Sequence, residues 1–157
     1  MQSVRIPLMV SRPKELGERL VVLFDGHCAL CNRTVRWFLR HDRQDRLRFA
    51  AFEASGWGEL LKRHGISVPD SESGPNTILV LRDFSGAEEE ILVRTDAALA
   101  MLRELSPPWP AVSAVLRLVP RPVRDLAYRL VARWRIRIWG RLESCPIPTA
   151  EERERFL

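Results

Sequence analysis

The chain has 157 residues, 46% of them hydrophobic, and a net charge of +5 in which arginine dominates: Lys14 and Lys62 are the only lysines. Such a length and composition predict one domain that buries its own core. No apolar run approaches transmembrane length, the first 24 residues hold no signal-peptide core, and three cysteines do not make a secreted disulfide framework, so a cytoplasmic location is expected.

Residues 1–19 show no convincing period, and Pro7 and Pro13 predict a loose loop or short edge segment. Val21, Val22, Leu23 and Phe24 then form a continuous apolar run closed by Asp25-Gly26, the pattern of a strand covered on both faces. Cys28 and Cys31 follow at C-x-x-C spacing. Cys31, Val35 and Phe38 recur at i, i+4 and i+7, which predicts a helix starting at the cysteines and ending near His41, roughly 20 Å long.

Leu47, Phe49 and Ala51 alternate with Arg48 and Ala50, predicting a half-exposed strand. Ser55 is a candidate cap for a second helix through His64, with Gly65 as its stop. A right-handed crossover makes the first two strands parallel. After a polar loop at 67–75, residues 77–81 (TILVL) read as a strand, and Ser85-Gly86 marks a hairpin connection to a strand at 91–93. Thr95 or Asp96 is expected to cap the next helix, whose apolar members are Leu99, Met101, Leu102 and Leu105. Pro107-Pro108-Trp109-Pro110 breaks the chain. Two more helical stretches follow at about 111–119 and 122–138, an extension and tail over 107–157 too short to hold a core of its own.

The chemistry centres on the two cysteines. A first helical turn has unpaired N–H groups and about half a positive charge, and C-x-x-C thiols placed there fall in pKa to roughly 3.5–7.5. Cys28 is then expected to be the exposed nucleophile and Cys31 the more buried resolving thiol. Asp25 either relays a proton to or from Cys31 or simply makes the turn. His27 favours a Cys28 thiolate if protonated; otherwise it is a turn residue. His41 and His64 sit near helix ends that favour a cation in any case. Ala29 and Leu30 add neither charge nor a hydrogen-bonding side chain, which predicts a middling or reducing potential.

The segment DGHCALC, with Asp25, Cys28 and Cys31 in place, resembles the Asp-x-x-Cys-x-x-Cys motif of the DCC family of thiol-disulfide oxidoreductases. The likeness extends through Arg94-Thr95-Asp96-Ala97, Leu118-Val119-Pro120-Arg121-Pro122 and a tail from Cys145-Pro146 to Arg155-Phe156-Leu157. The resemblance implies an α/β, thioredoxin-like fold: a four-stranded mixed sheet in the order 2-1-3-4 flanked by helices, here with a C-terminal helical extension. It also implies disulfide exchange through Cys28 and Cys31, with a disulfide-containing protein or small-molecule thiol as substrate and a separate reductant. No cofactor is expected, since no dinucleotide fingerprint is present. One departure stands out: thioredoxin-like enzymes carry a cis-proline just before the third strand, whereas here Asn76 precedes Thr77 and Pro75 lies one residue earlier.

Two rival readings use the remaining features. Cys145 with the C-x-x-C pair would supply three of the four ligands zinc prefers. Arg117, Arg121, Arg124, Arg129, Arg133, Arg135, Arg137 and Arg141 interleave with apolar residues, as in helices that lie on anionic membranes or RNA, and would be the contact surface of a non-catalytic thioredoxin-like interaction module. The expectation taken forward is that the apolar face of this helix covers the core and its arginines are solvated. No nucleic acid is expected; membrane-surface contact through Arg117 to Arg141 stays open.

Overall fold

The computed structural model describes residues 18–52, 57–66, 78–82, 90–144 and 146–157. Strand β1, Leu20–Phe24, is buried at every position, as its unbroken apolar run predicts. Its side chains alternate. Leu20, Val22 and Phe24 enter one core with Val35, Phe38, Phe49 and Met101, while Val21 and Leu23 enter a second with Trp57, Leu60 and Leu61. Burying each such large apolar side chain contributes about 1.5–3 kcal/mol, so β1 belongs to both layers of the core.

Helix α1 (Ala29–His41) packs Val35 and Phe38 onto the first face. Strand β2 (Leu47–Ala51) pairs parallel to β1, Leu20 opposite Leu47 and Phe24 opposite Ala51, as the crossover rule requires. Helix α2 (Trp57–Arg63) covers the second face. Strand β3 (Leu79–Arg82) lies antiparallel to β1, and β4 (Glu90–Val93) antiparallel to β3. The sheet order is β2-β1-β3-β4, with both parallel and antiparallel pairs, as in a thioredoxin-like fold.

Several local expectations change. Strand β2 is not half exposed: Ala50 is fully buried in the second core, and Arg48 is bonded to Asp45. Its outer edge is met by the tail. Leu157 N–H donates to Phe49 O at 2.9 Å, and Phe156 packs its ring edge-on against Phe24. This contact partners backbone groups that an edge strand would otherwise present to another chain. Helix α3 (Arg94–Glu104) starts from Val93 without a side-chain cap, because the Thr95 hydroxyl donates instead to the Asp125 carboxylate. Ser55, Pro75, the 83–89 connection and Cys145 lie outside the described residues.

Helix α4 (Trp109–Arg117) packs on α3, where the buried Ser113 hydroxyl donates to Leu99 O at 2.8 Å. Trp109 stands edge-on to Trp37 of α1 with ring centres 4.7 Å apart. Helix α5 (Arg121–Trp139) crosses α1 and α3. Its attachment inverts the expected one. Arg124 pairs with Asp96, Asp125 accepts from Thr95, the Tyr128 hydroxyl accepts the Ile78 N–H at 2.8 Å, and Arg135 is buried in the fold. The polar stripe faces inward, and Leu126, Leu130, Trp134 and Ile138 face solvent.

Candidate active site

The buried strand β1 ends at Asp25, and the turn from Asp25 to Cys28 delivers the chain into α1. Asp25 Oδ1 accepts the His27 N–H at 2.9 Å, and Cys28 N–H donates to Asp25 O at 3.3 Å. Asn32, one turn into the helix, donates from Nδ2 to Gly26 O at 2.7 Å and to Cys28 O at 3.0 Å. These bonds fix the turn from both sides, which is the local role expected of Asx residues.

Cys28 is the N-cap of α1. Its sulfur accepts the Cys31 N–H at 3.3 Å, as a cap side chain satisfies an unpaired donor of the first turn. The thiol of Cys31 also donates to it, and that bond is the largest influence on its acidity. Burial opposes ionisation, but the bonds from Cys31 and the charge of Arg135 outweigh it, and the Cys28 pKa falls from 9.0 to about 6. Cys31 moves the other way: donating its S–H to the Cys28 sulfur and lying in a sheltered position hold it as a thiol well above the ordinary range, with Arg135 opposing. Above about pH 6 the pair therefore favours a single negative charge, which the bonds donated by Cys31 direct to the Cys28 sulfur.

The residue that completes the site comes from α5. Arg135, only 4% exposed, places Nη1 3.0 Å from Cys31 Sγ and Nη2 3.1 Å from Asp25 Oδ2. Burial disfavours its charge, yet Cys31, Cys28 and Asp25 together raise its pKa beyond the usual value. Asp25 is thus engaged by both oxygens, one on the turn and one on the guanidinium. The Oδ1 bond is the turn contact expected of Asp25, and the Oδ2 bond to Arg135 joins that turn to α5.

The accessibility of the two sulfurs is the reverse of the expected one. Cys28 has no exposed surface, whereas Cys31 is half-buried and lines a cavity of about 180 Å³ between α1, α3 and α5. Cys28 lies under the segment after α5. Leu142 N–H donates to His27 O at 2.7 Å, His27 Nδ1 lies 3.2 Å from Leu142 O, and Arg141 pairs with Cys28 as a short antiparallel bridge. His27 is therefore a fastening for this strap rather than a free turn residue. The cavity at Cys31 is walled by apolar groups including Leu30, Met101 and Val131, with Arg135 beside the sulfur.

Sequence pattern does not single out Arg135, Asn32 or the strap. Arg135 shares a helical stripe with Arg124, Tyr128 and Ala132 at spacings of four, four and three, which marks one face of α5. Among eight arginines in that region nothing local marks it as the buried one. His41 stacks on Trp37 at 4.2 Å, and neither it nor His64 is brought to the cysteines. Among the described residues no cluster of three or more His, Cys, Asp or Glu side chains could hold a metal ion. Cys145, the third sulfur of the zinc reading, is outside them.

Comparison with known proteins points the same way as the geometry. A family model described as DCC1-like thiol-disulfide oxidoreductase matches residues 22–141, which contain both cysteines, Asp25 and Arg135. The chain is 33% identical over 133 residues to a chloroplastic DCC family protein of Arabidopsis thaliana, spanning 85% of this chain and 72% of that protein. It is 28% identical over 137 residues to the uncharacterized protein YuxK of Bacillus subtilis (strain 168), spanning 87% and 93%. No solved structure gives a significant match.

Proposed function

The chain belongs to the DCC1-like thiol-disulfide oxidoreductase family, and from that membership we propose that it is an enzyme exchanging disulfides through Cys28 and Cys31, with Cys31 as the sulfur that carries the substrate. The observation that carries this reading is the contrast between the sulfurs: Cys31 lines an open cavity and Cys28 is fully covered.

In the oxidising direction a substrate thiolate attacks Cys31 Sγ of the Cys28–Cys31 disulfide. The S–S bond breaks, its electron pair leaves on Cys28, and a mixed disulfide joins the substrate to Cys31. As Cys28 leaves, its sulfur accepts the Cys31 N–H and feels the charge of Arg135, both of which favour the thiolate, and a stabilised leaving thiolate speeds exchange. A second substrate thiolate then attacks the substrate sulfur of the mixed disulfide. Cys31 leaves with the electron pair beside Arg135 and takes up a proton. The substrate is oxidised by two electrons and the pair is reduced by two.

In the reducing direction the same steps run backwards. Cys31 attacks the substrate disulfide as it loses its proton, Arg135 stabilises the charge that develops on its sulfur, and the substrate thiolate that leaves takes up that proton. The Cys28 thiolate then attacks Cys31 Sγ, which closes the Cys28–Cys31 disulfide and releases the second substrate sulfur as a thiolate. A disulfide-containing protein or small-molecule thiol is the substrate class, and a separate reductant resets the pair. The reaction belongs in a reducing compartment such as the cytoplasm, consistent with three cysteines and a single C-x-x-C. Asp25 is a positioning residue that orients Arg135.

Single-cysteine variants test the assignment. Treated with an aryl disulfide and mapped by mass, Cys28→Ser is expected to form a stable adduct on Cys31, while Cys31→Ser labels slowly at Cys28. Faster labelling of Cys28 in Cys31→Ser than of Cys31 in Cys28→Ser would overturn it.

A further inference from the structure

Helix α5 is attached to the fold by the wrong face for an ordinary amphipathic helix. Its contacts inward run through Arg124, Asp125, Tyr128 and Arg135. Turned outward is a continuous apolar stripe at helical spacing: Val123, Leu130, Trp134 and Ile138 are 56%, 52%, 44% and 63% exposed, and Leu126 and Val131 flank them at 52% and 50%. Helix α4 and the turn after it also expose Val115 and Leu118, at 64% and 82%, and Leu116 of α4 lines one hollow with Ala127 and Val131 of α5. A free chain in water rarely leaves so large a contiguous apolar patch uncovered, and such patches mark interaction surfaces.

The border of the stripe identifies what covers it. Arg129, Arg133 and Arg137 are exposed and lie four residues apart, one ridge along the edge of the apolar face. Arg137 rests its guanidinium over the Trp134 ring at 5.5 Å. From 117 to 141 the only acidic residue is Asp125, which is turned inward to Thr95. An apolar face edged by arginines matches the boundary of an anionic bilayer, where the aliphatic stems lie along the acyl chains and the cations reach the lipid phosphates. No helix among the described residues is long and apolar enough to cross a membrane, so the fitting geometry is lying on the surface. A second copy is a poorer match, since α5 has no outward carboxylate to meet the arginines of its counterpart.

We propose that the exposed face of α4 and α5 docks the protein on an anionic lipid membrane, with the apolar stripe inserted at the headgroup boundary and the Arg129–Arg133–Arg137 ridge on lipid phosphates. This goes beyond disulfide exchange and does not depend on it. Val131 belongs both to the stripe and to the wall of the cavity at Cys31, so docking sets that cavity beside the bilayer.

The test is co-sedimentation of the intact protein with vesicles of phosphatidylcholine alone or mixed with phosphatidylglycerol, at low and physiological salt. Binding is expected to the mixed vesicles and to weaken with salt. Arg129→Gln/Arg133→Gln/Arg137→Gln is expected to lower the partition coefficient by about thirty- to a hundredfold at low salt. Leu130→Glu/Trp134→Glu is expected to abolish binding while its Cys28–Cys31 redox titration matches that of the parent. Absence of binding to either vesicle, equal binding to both, or unchanged binding by Leu130→Glu/Trp134→Glu would overturn the proposal. So would a concentration-dependent dimer that the same pair of substitutions dissolves, because the face would then belong to a second copy.

Discussion

Arg135 lies 3.0 Å from Cys31 Sγ, although 104 positions separate them in the chain. The same guanidinium holds Asp25 at 3.1 Å, so one side chain from the C-terminal extension ties together the strand end and the second thiol. The extension is therefore part of the site, which joins a dithiol to a buried cation.

Removing that cation alone is expected to be costly. Arg135→Leu leaves Asp25 buried and unpaired, a loss of about 3–5 kcal/mol in unfolding free energy. Arg135→Leu combined with Asp25→Asn should recover part of it, and a double-mutant cycle in urea measures the coupling. Arg135→Lys keeps a charge but loses the two-pronged geometry, and exchange at neutral pH is expected to fall roughly tenfold or more, a charge-assisted hydrogen bond being worth ~1.5–3 kcal/mol. A merely structural role for Arg135 would lower stability without moving the pH profile of exchange in Arg135→Lys.

The acidity of Cys28 has a defined signature with pH. Its pKa is depressed in the folded state, from 9.0 to about 6, so ionised Cys28 favours folding above the unfolded value. That contribution is complete above about 9 and disappears as pH falls through about 6. Cys31, raised in the fold, acts oppositely: above about 9 the unfolded thiol ionises and the folded one does not, so stability declines again. Reduced protein is expected to gain stability over Cys28→Ser between pH 6 and 9, and its thiolate ultraviolet absorbance to titrate near pH 6. Absorbance rising only near 9 in both proteins would refute the assignment.

Access to Cys28 is governed by the strap at Arg141 and Leu142. Gly140 turns the chain into it with φ +80° and ψ 174°, a conformation that side chains rarely adopt, although no atom lies within 4 Å of an added Cβ. Gly140→Ala thus tests backbone strain alone. It is expected to cost about 1–3 kcal/mol and to raise the alkylation rate of Cys28 several-fold while leaving Cys31 little changed. Equal acceleration of both thiols would mean general loosening instead.

The parts of this fold that sequence pattern reveals are those set by neighbours in the chain. The run at Val21 to Phe24 predicts a strand buried on two faces, and Val35 and Phe38 place the covered side of α1. The strand order follows from the family likeness. What escapes is carried by distant segments. Ala50 looks like the exposed half of an alternating strand until Trp57, Leu60 and Leu61 cover it. Cys28 looks exposed, as an N-cap usually is, until Leu142 is fastened to His27. Arg135 differs from its neighbouring arginines only in meeting Asp25 and Cys31, and apolar residues on several faces of α5 hide which side turns inward. Arg124, Asp125 and Tyr128 decide that orientation through Asp96, Thr95 and Ile78, none of which periodicity within α5 can reveal.

The most direct test of the central claim is equilibration of the pure protein in graded glutathione buffers, followed by alkylation and mass mapping of Cys28 and Cys31. A reversible two-electron transition confined to that pair is predicted, with a midpoint well below the strongly oxidising value of about −120 mV. Thiols that never pair, or that pair only irreversibly, would contradict it.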